Sequence, residues 1–527
     1  MMDWLARRQF RLCWCLFIYF AIHALVRTLL SPSLAYDEAE QVYLTQWVNL
    51  GYNSQPPLYT WIQYAIFNTL GTSIFTLALF KNALLLGTYL FIFGFVRVAT
   101  GDVRAAVVAS LGLVTMPQIG YESHRDLSNT IAVMMATAAL FYSVVGVARY
   151  RSNWCYLAVG LAAAFGMMSK YNFAMTIVAV VLACLTLPNY RKCLLDRRLL
   201  IGVLLAAAIV VPHACWMIQH PGLVSEKTVT QFTEQQTASW FTNVRLGFAA
   251  LFSVILGCCA ASLAIFTICF YKSLLRDRKK LAQAAGQNPD DGAIQHETAL
   301  LLERFLMIIG VMLIVVVMTG SAVEFMNRWL QPFIVVIPAY LTLRFLSVPR
   351  IDERAANRLV FVCGTLMVLF TVALVLRPIS AGWRERFSWL NMPYRVLADE
   401  VRQQIGRDPG LIIANDMRTA GNMRLCFPSA GVISEDNQFL QVDPATIDGP
   451  IVLVTDAYIE PVCLSMIELT NKWQIDASMV QWNSVELQYV YGQPDQRHEF
   501  FVAVVQPPAK IAAASKPSAP GAPHKSR

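Results

Sequence analysis

The chain has 527 residues, of which 56% are hydrophobic and only 14% charged. Soluble domains carry about 25% charged residues, so this composition excludes a purely soluble enzyme, along with disordered, coiled-coil and collagen-like classes. The formal charge of +8 is spread over short loop clusters rather than gathered on one face, which argues for membrane topology and against nucleic-acid binding.

From the N-terminus to about residue 377, apolar runs long enough to cross a bilayer alternate with short polar segments. The runs are continuous, which predicts helices and excludes an outer-membrane barrel. Spans are expected near 12–30, 74–96, 105–119, 128–148, 153–168, 171–188, 200–218, 247–271, 304–322, 331–347 and 359–377, about eleven in all. Basic groups at Arg7/Arg8/Arg11, Arg97/Arg104, Arg149/Arg151, Arg191/Lys192/Arg197/Arg198, Lys272/Arg276/Arg278/Lys279/Lys280 and Arg344/Arg350/Arg354/Arg358 fall in alternate loops, as cytoplasmic segments do. An odd number of spans then puts the N-terminus in the cytoplasm and the C-terminal region on the exported side. Arg7/Arg8, an apolar core and Ser33-Leu34-Ala35 imitate a signal peptide, but the core is long for that role.

Beyond residue 377 the composition turns globular. Residues 397–405 have helical spacing, while 411–414, 451–454 and 500–505 are short apolar runs typical of buried strands. The expected fold is mostly α: a polytopic membrane helix bundle over 1–377, with a first exported loop at 31–73, followed by an exported α/β domain over 378–506. The Ala-, Ser-, Pro- and Lys-rich end over 507–527 reads as a disordered tail. The polar stretch from Lys272 to His296 reads as a cytoplasmic loop. Most of the 12 cysteines lie in apolar runs as small hydrophobes, and no spacing suits zinc. Cys426 and Cys463 fall in the exported domain, where an oxidising compartment permits a bridge.

The polar residues between the spans carry the chemistry. Tyr36-Asp37-Glu38-Ala39-Glu40 places three carboxylates in four residues just after the first span, and no Lys or Arg occurs between Ser31 and Ser73. A solvated loop start is the bland account. The loop continues through Gly51-Tyr52-Asn53-Ser54-Gln55-Pro56-Pro57-Leu58-Tyr59-Thr60-Trp61, rich in residues that favour the membrane interface. Residues 40–50 interleave apolar and polar side chains, as a helix lying in the interface plane does. The second exported loop, Gly120-Tyr121-Glu122-Ser123-His124-Arg125-Asp126, sets four ionisable groups at a helix mouth, where charge at membrane depth is costly. Asp126 reads either as the N-cap of the next span or as a functional acid. Lys170 stands between two apolar runs and Arg328 follows Glu324, and either cation could simply snorkel. Two carboxylate loops and two cations nevertheless fall on one membrane face.

Tyr36-Asp37-Glu38, Gly51-Tyr52 with Gln55-Pro56-Pro57-Leu58, Arg125-Asp126, Ser169-Lys170-Tyr171 and Arg328-Trp329-Leu330-Gln331-Pro332, in this order over roughly residues 10–350, resemble the GT-C glycosyltransferases. The resemblance is to the bacterial relatives of the protein O-mannosyltransferases, a branch that includes the lipid A aminoarabinose transferase and the lipopolysaccharide core galacturonosyltransferases. Gln55 stands where that family usually has His, and Glu40 where it often has an aromatic residue or His. The resemblance implies a bacterial inner-membrane enzyme. It would move a hexosyl or pentosyl group from a polyprenyl-phosphate donor to an envelope acceptor (lipid A, lipopolysaccharide, another glycan or a protein) at the exported face.

Elementary chemistry asks for the same groups. An acceptor hydroxyl needs a general base, which a positioned carboxylate supplies. The departing lipid phosphate gains charge, which preorganised cations stabilise. Asp37, with Glu38 beside it, and Asp126 are therefore the candidate catalytic acids, and Lys170 and Arg328 the candidate phosphate partners. Glu40, Gln55, Tyr59, His124, Arg125 and Glu324 are candidate substrate contacts. No cofactor is required. Asp37 and Asp126 could hold a divalent cation, but the reaction does not need one. The competing reading is a multi-span transporter or flippase. It would place ionisable residues near the bilayer midplane in repeated, broken helices, and no such repeat is visible here.

Overall fold

A computed structural model describes every residue except 8–9, 224–238, 275–288, 346–351, 438, 441, 444–446, 448, 474, 476 and 507–527. The expected tail, and most of the expected loop between Lys272 and His296, lie outside the described residues. The rest of that loop is helical: it extends the helices Trp240–Leu274 and Pro289–Met318.

Seven described helices are long and apolar enough to cross a membrane: Phe10–Leu30, Ile74–Thr100, Asn129–Tyr150, Leu199–Gln219, Trp240–Tyr271, Ala293–Met318 and Glu353–Ile379. Counting two bent pairs as spans raises the number among the described residues to nine, so the expected count of about eleven is not confirmed. Each of the remaining apolar runs is helical but interrupted or short, and proline causes most of the difference. Pro117 separates Val103–Thr115 from Gln118–Arg125 with a 76° bend, and Pro188 opens Pro188–Leu194 after a 119° turn from Phe173–Leu185. The run near 331–347 divides into Asn327–Ile334, which contains Pro332, and Ile337–Phe345. A proline ring removes one N–H and clashes with the preceding turn, so an apolar run that contains one need not be a straight span. Asn153–Met167 has 15 residues. It rises roughly 22 Å, short of the bilayer's hydrocarbon core.

By backbone contact the chain divides into two units. The first comprises Met1–Arg27, Val48–Gln63 and Leu77–Val375. Among its long spans the Asn129–Tyr150 helix is the most enclosed, with 72% of its apolar stretch buried against 50% or less for the others. Leu25, Phe252, Ile268, Val311 and Val368 on other spans are exposed apolar side chains. Without water to satisfy it, backbone in lipid must close its own hydrogen bonds, which is why these segments are helical. Small residues let two of them meet closely: a Cβ at Gly160 would lie 2.2 Å from the Gly202 carbonyl oxygen.

The second unit comprises Thr28–Trp47, Tyr64–Thr76 and Leu376–Arg527. It takes in two segments that the sequence assigns to the membrane module and its first loop. Its sheet runs β2-β1-β3-β5-β4, with β1 Leu411–Ala414, β2 Gly431–Ser434, β3 Ile451–Thr455, β4 Asn483–Gln488 and β5 Arg497–Val505. β1 pairs in parallel with β2 and β3, whereas β5 runs antiparallel to β3 and β4. The three expected strands and the helix Tyr394–Ile405 are present. β2, Gly-Val-Ile-Ser, has only two successive apolar residues, and β4 is largely exposed, so neither shows as an apolar run.

The expected Cys426–Cys463 bridge does not form, and both are thiols. Cys426 ends the Met417–Cys426 helix that follows β1, and its carbonyl accepts from Arg402. Cys463 lies on Glu460–Leu469, the helix after β3, whose Met466 and Leu469 pack on Leu411, Ile413, Ile451 and Leu453 of the sheet. The two thiols thus belong to different crossovers. Burial pushes the Cys426 thiol up to about 11.

Two outcomes follow. Denatured protein should label at Cys426 and Cys463 equally with and without reductant in an alkylation–mass spectrometry assay. Gly160→Val should overpack the contact with Gly202, costing about 1–3 kcal/mol, read as a lowered melting temperature in detergent.

Candidate active site

Within the second unit, the residues after the first span turn directly into the helix Tyr36–Leu44 rather than into an interfacial helix over 40–50. Protein, not lipid headgroups, covers it: Glu38, Ala39, Glu40, Gln41, Val42, Tyr43 and Leu44 are all buried. Glu38 caps its own helix, accepting the Ala35 N–H at 3.1 Å, the return half of a capping box. Asp37, one residue earlier, is half-buried. Tyr36 shows how acidic the neighbourhood is. Burial first, and then the carboxylates of Glu40, Asp436, Asp416 and Asp37, hold its phenol well above the ordinary value.

Asp416 and Asp436 come from the carboxyl ends of β1 and β2. Asp416 caps the Met417–Cys426 helix, accepting Thr419 N–H at 2.7 Å. The Arg418 guanidinium binds both Asp416 and Asp456 and stacks 3.6 Å over Trp389. Burial raises Asp416 above the usual carboxylate range, with Arg418 opposing it. The sequence reading missed this group, although Asp416 stands where an N-cap belongs, between an apolar strand run and a helix.

Within the first unit, Lys170 and Gln55 line one cavity of about 190 Å³, together with Tyr171, Asn172, Leu313 and Phe333. Lys170 lies in the turn between Asn153–Met167 and Phe173–Leu185, and its ammonium donates to Thr130 Oγ1 at 2.9 Å and to the Arg328 carbonyl at 3.3 Å. Asn172 Nδ2 donates to the Trp329 carbonyl at 3.1 Å. Two motifs far apart in sequence are thereby sewn together, with Lys170 tied to the backbone of Arg328. Leu58 N–H donates to the Met168 carbonyl at 3.2 Å, bringing the Pro-Pro segment to the same turn. His213 fixes it further: one ring nitrogen is 3.1 Å from the Tyr171 hydroxyl and the other 2.6 Å from the Leu50 carbonyl. The carbonyl can only accept, so Nδ1 carries the proton and Nε2 accepts from Tyr171. Gly51 seats against the Trp216 ring, where a Cβ would approach to 2.2 Å. Thr130, Asn172, His213 and Trp216 escaped the sequence reading, since one histidine in an apolar run carries no spacing signal.

Arg125 pairs with Glu122 at 2.6 Å. His124 is buried and stacks on His23 with centroids 3.9 Å apart, and Lys81 Nζ donates to its carbonyl at 3.4 Å. Asp126 is half-buried and is not the N-cap of the next helix, whose cap is Ser128. Tyr59 is buried against Phe80, and Glu324 is half-buried in the turn before the Asn327–Ile334 helix. Among the described residues, no three His, Cys, Asp or Glu side chains group as metal ligands.

Comparison with known proteins gives this geometry its context. Residues 54–216 match the dolichyl-phosphate-mannose-protein mannosyltransferase family. The chain is 30% identical over 493 residues to the lipopolysaccharide core galacturonosyltransferase RgtB of Rhizobium johnstonii, covering 93% of this chain and 96% of that one. It is 31% identical over 437 residues to RgtA of the same organism, a lipopolysaccharide core galacturonosyltransferase, covering 83% and 84%. ArnT from Cupriavidus metallidurans, solved bound to undecaprenyl phosphate, shares the fold at a TM-score of 0.54 and 14% identity, over 95% of this chain and 99% of that one. The chain therefore belongs to the GT-C family of membrane glycosyltransferases, among the relatives of the lipopolysaccharide core galacturonosyltransferases.

Proposed function

We propose that this glycosyltransferase moves a hexuronosyl group from a polyprenyl-phosphate donor onto a lipopolysaccharide acceptor at the exported face of the bacterial inner membrane. The observation that carries the donor class is the cavity holding Lys170. One corner is cationic, while Leu313, Val316, Phe325 and Phe333 make its walls apolar. That pairing suits a phosphate joined to an isoprenoid chain, and a charge kept near membrane depth needs such a reason. Near-full-length similarity to RgtB and RgtA supports the uronosyl choice over a pentosyl one, and the ligand carried by ArnT supports a polyprenyl phosphate.

In this reading Asp37 acts on the acceptor. It is the more exposed of the paired acids, whereas Glu38 is engaged in capping. Asp37 takes the acceptor hydroxyl proton as the oxygen attacks the anomeric carbon, and the bond to the donor phosphate oxygen breaks with inversion. Lys170 and Arg328 stabilise the charge that collects on the leaving phosphate. Asp126 serves as the second acid, and the reading invokes no metal.

Incubating purified protein with galacturonosyl or aminoarabinosyl polyprenyl phosphate and rough lipopolysaccharide, with mass spectrometry of the products, tests the reaction. A mass gain of one hexuronic acid on the acceptor is expected; a pentose-type gain alone would overturn the donor assignment. Asp37→Asn should accumulate normally in the membrane yet lose on the order of a hundred- to ten-thousand-fold in turnover. Near-normal turnover at matched protein level would pass the role to Glu38 or Asp126. Lys170→Ala should weaken donor use about ten- to a hundredfold, the worth of a charge-assisted hydrogen bond, read as a raised donor KM.

A further inference from the structure

We propose that the C-terminal sheet unit positions Asp37, and that Asn422 and Gln46 are the positioning residues. The inference rests on the reading of Asp37 as the reacting carboxylate and adds what aims it. The helix Tyr36–Leu44 lies directly on Met417–Cys426. A Cβ at Gly421 would come within 2.0 Å of the Ala39 carbonyl oxygen and 2.5 Å of its carbon, so the two backbones touch with no side chain between them. Glycine inside a helix costs about 1 kcal/mol relative to alanine. This one is compatible with the approach because it has nothing to displace.

Hydrogen bonds fix the helix at both ends. Before it, Asn422, which is 1% exposed, accepts the Leu34 N–H through Oδ1 at 2.8 Å. Its Nδ2 donates to the Arg418 carbonyl at 2.9 Å and reaches the Leu34 carbonyl at 3.5 Å. Leu34 is three residues before Asp37, so Asn422 sets where the helix starts. Ser31 and Ser33 hydroxyls donate to the Leu390 and Met392 carbonyls, and the Tyr491 hydroxyl donates to Leu30, anchoring the approach.

Past the helix, the Gln46 amide imitates a strand. Its Nε2 donates to the Val432 carbonyl at 3.1 Å while its Oε1 accepts Val432 N–H at 3.0 Å, closing the outer edge of β2. The same Nε2 donates to the Tyr43 carbonyl at 2.9 Å, so the end of the helix and the sheet edge share one side chain. Asp37 therefore rides on a short element whose start and end are both set by the sheet unit. A carboxylate must sit within a few tenths of an ångström of its productive place, and a displacement near 1 Å costs about a hundredfold in rate.

The test uses the full-length enzyme with galacturonosyl polyprenyl phosphate and rough lipopolysaccharide. Asn422→Ala, Gln46→Ala and Asp37→Asn are compared by kcat, donor KM and amide hydrogen exchange. For both positioning variants we expect kcat to fall by on the order of a hundredfold, with donor KM unchanged. Amide protection should fall over 35–44 and stay intact in β1 and β3. Gln46→Ala, at the half-buried edge, serves if Asn422→Ala does not fold. Loss of protection throughout the sheet in both variants would make the effect a general loss of fold and overturn the inference. So would normal kcat in both variants beside an inactive Asp37→Asn. Normal turnover by Asp37→Asn would instead overturn the underlying reading of Asp37.

Discussion

The Ala39 carbonyl occupies the space that a side chain at position 421 would need. Much of what the second unit does follows from this contact. It assigns the acidic segment to the sheet rather than to the lipid surface, and it buries Glu38 and Glu40 under protein. Burying carboxylates is costly unless they are bonded, and Glu38 meets that cost by closing the start of its own helix. Asp37, beside it, stays half-buried.

A second constraint governs the first unit. Proline and short helices interrupt the apolar runs near Lys170 and Arg328, so the chain changes direction there instead of passing straight through. Arg328 and Trp329 open the Asn327–Ile334 helix, in which Pro332 has no N–H to offer the Arg328 carbonyl. The Lys170 ammonium and the Asn172 amide donate to the carbonyls of Arg328 and Trp329. A cation near membrane depth is tolerable when its partners are backbone oxygens and a hydroxyl rather than lipid. In broken spans, polar groups and irregular backbone satisfy one another, and the resulting cavity is apolar on its other walls.

His213 illustrates how far such fixing extends. A single imidazole links Leu50, ahead of the Pro-Pro segment, to the residue after Lys170, and its tautomer is set by a carbonyl on one side and a phenol on the other. The Gln55-Pro56-Pro57-Leu58 segment is thereby held from two directions, by His213 through Leu50 and by Met168 through Leu58.

Composition, continuous apolar runs and alternating basic loops sufficed to establish a polytopic helical membrane protein with an α/β C-terminal region, because hydrophobicity is a local property read residue by residue. The ordered motifs sufficed for the family, because their residue types and order resemble those of the GT-C glycosyltransferases. Tertiary structure alone decided the rest. Eleven apolar runs became seven long spans and several bent or short ones, since hydropathy does not register the backbone break at Pro117 or Pro188. The sequence allowed a Cys426–Cys463 bridge, but the two helices carry the thiols on separate crossovers. The Glu40–Leu50 pattern looked interfacial because an apolar face has the same sequence whether lipid or protein covers it. Gly421, Asn422, Thr130 and His213 carried no signal at all, for each acts on a partner more than 35 residues away, and that distance closes only when the chain folds.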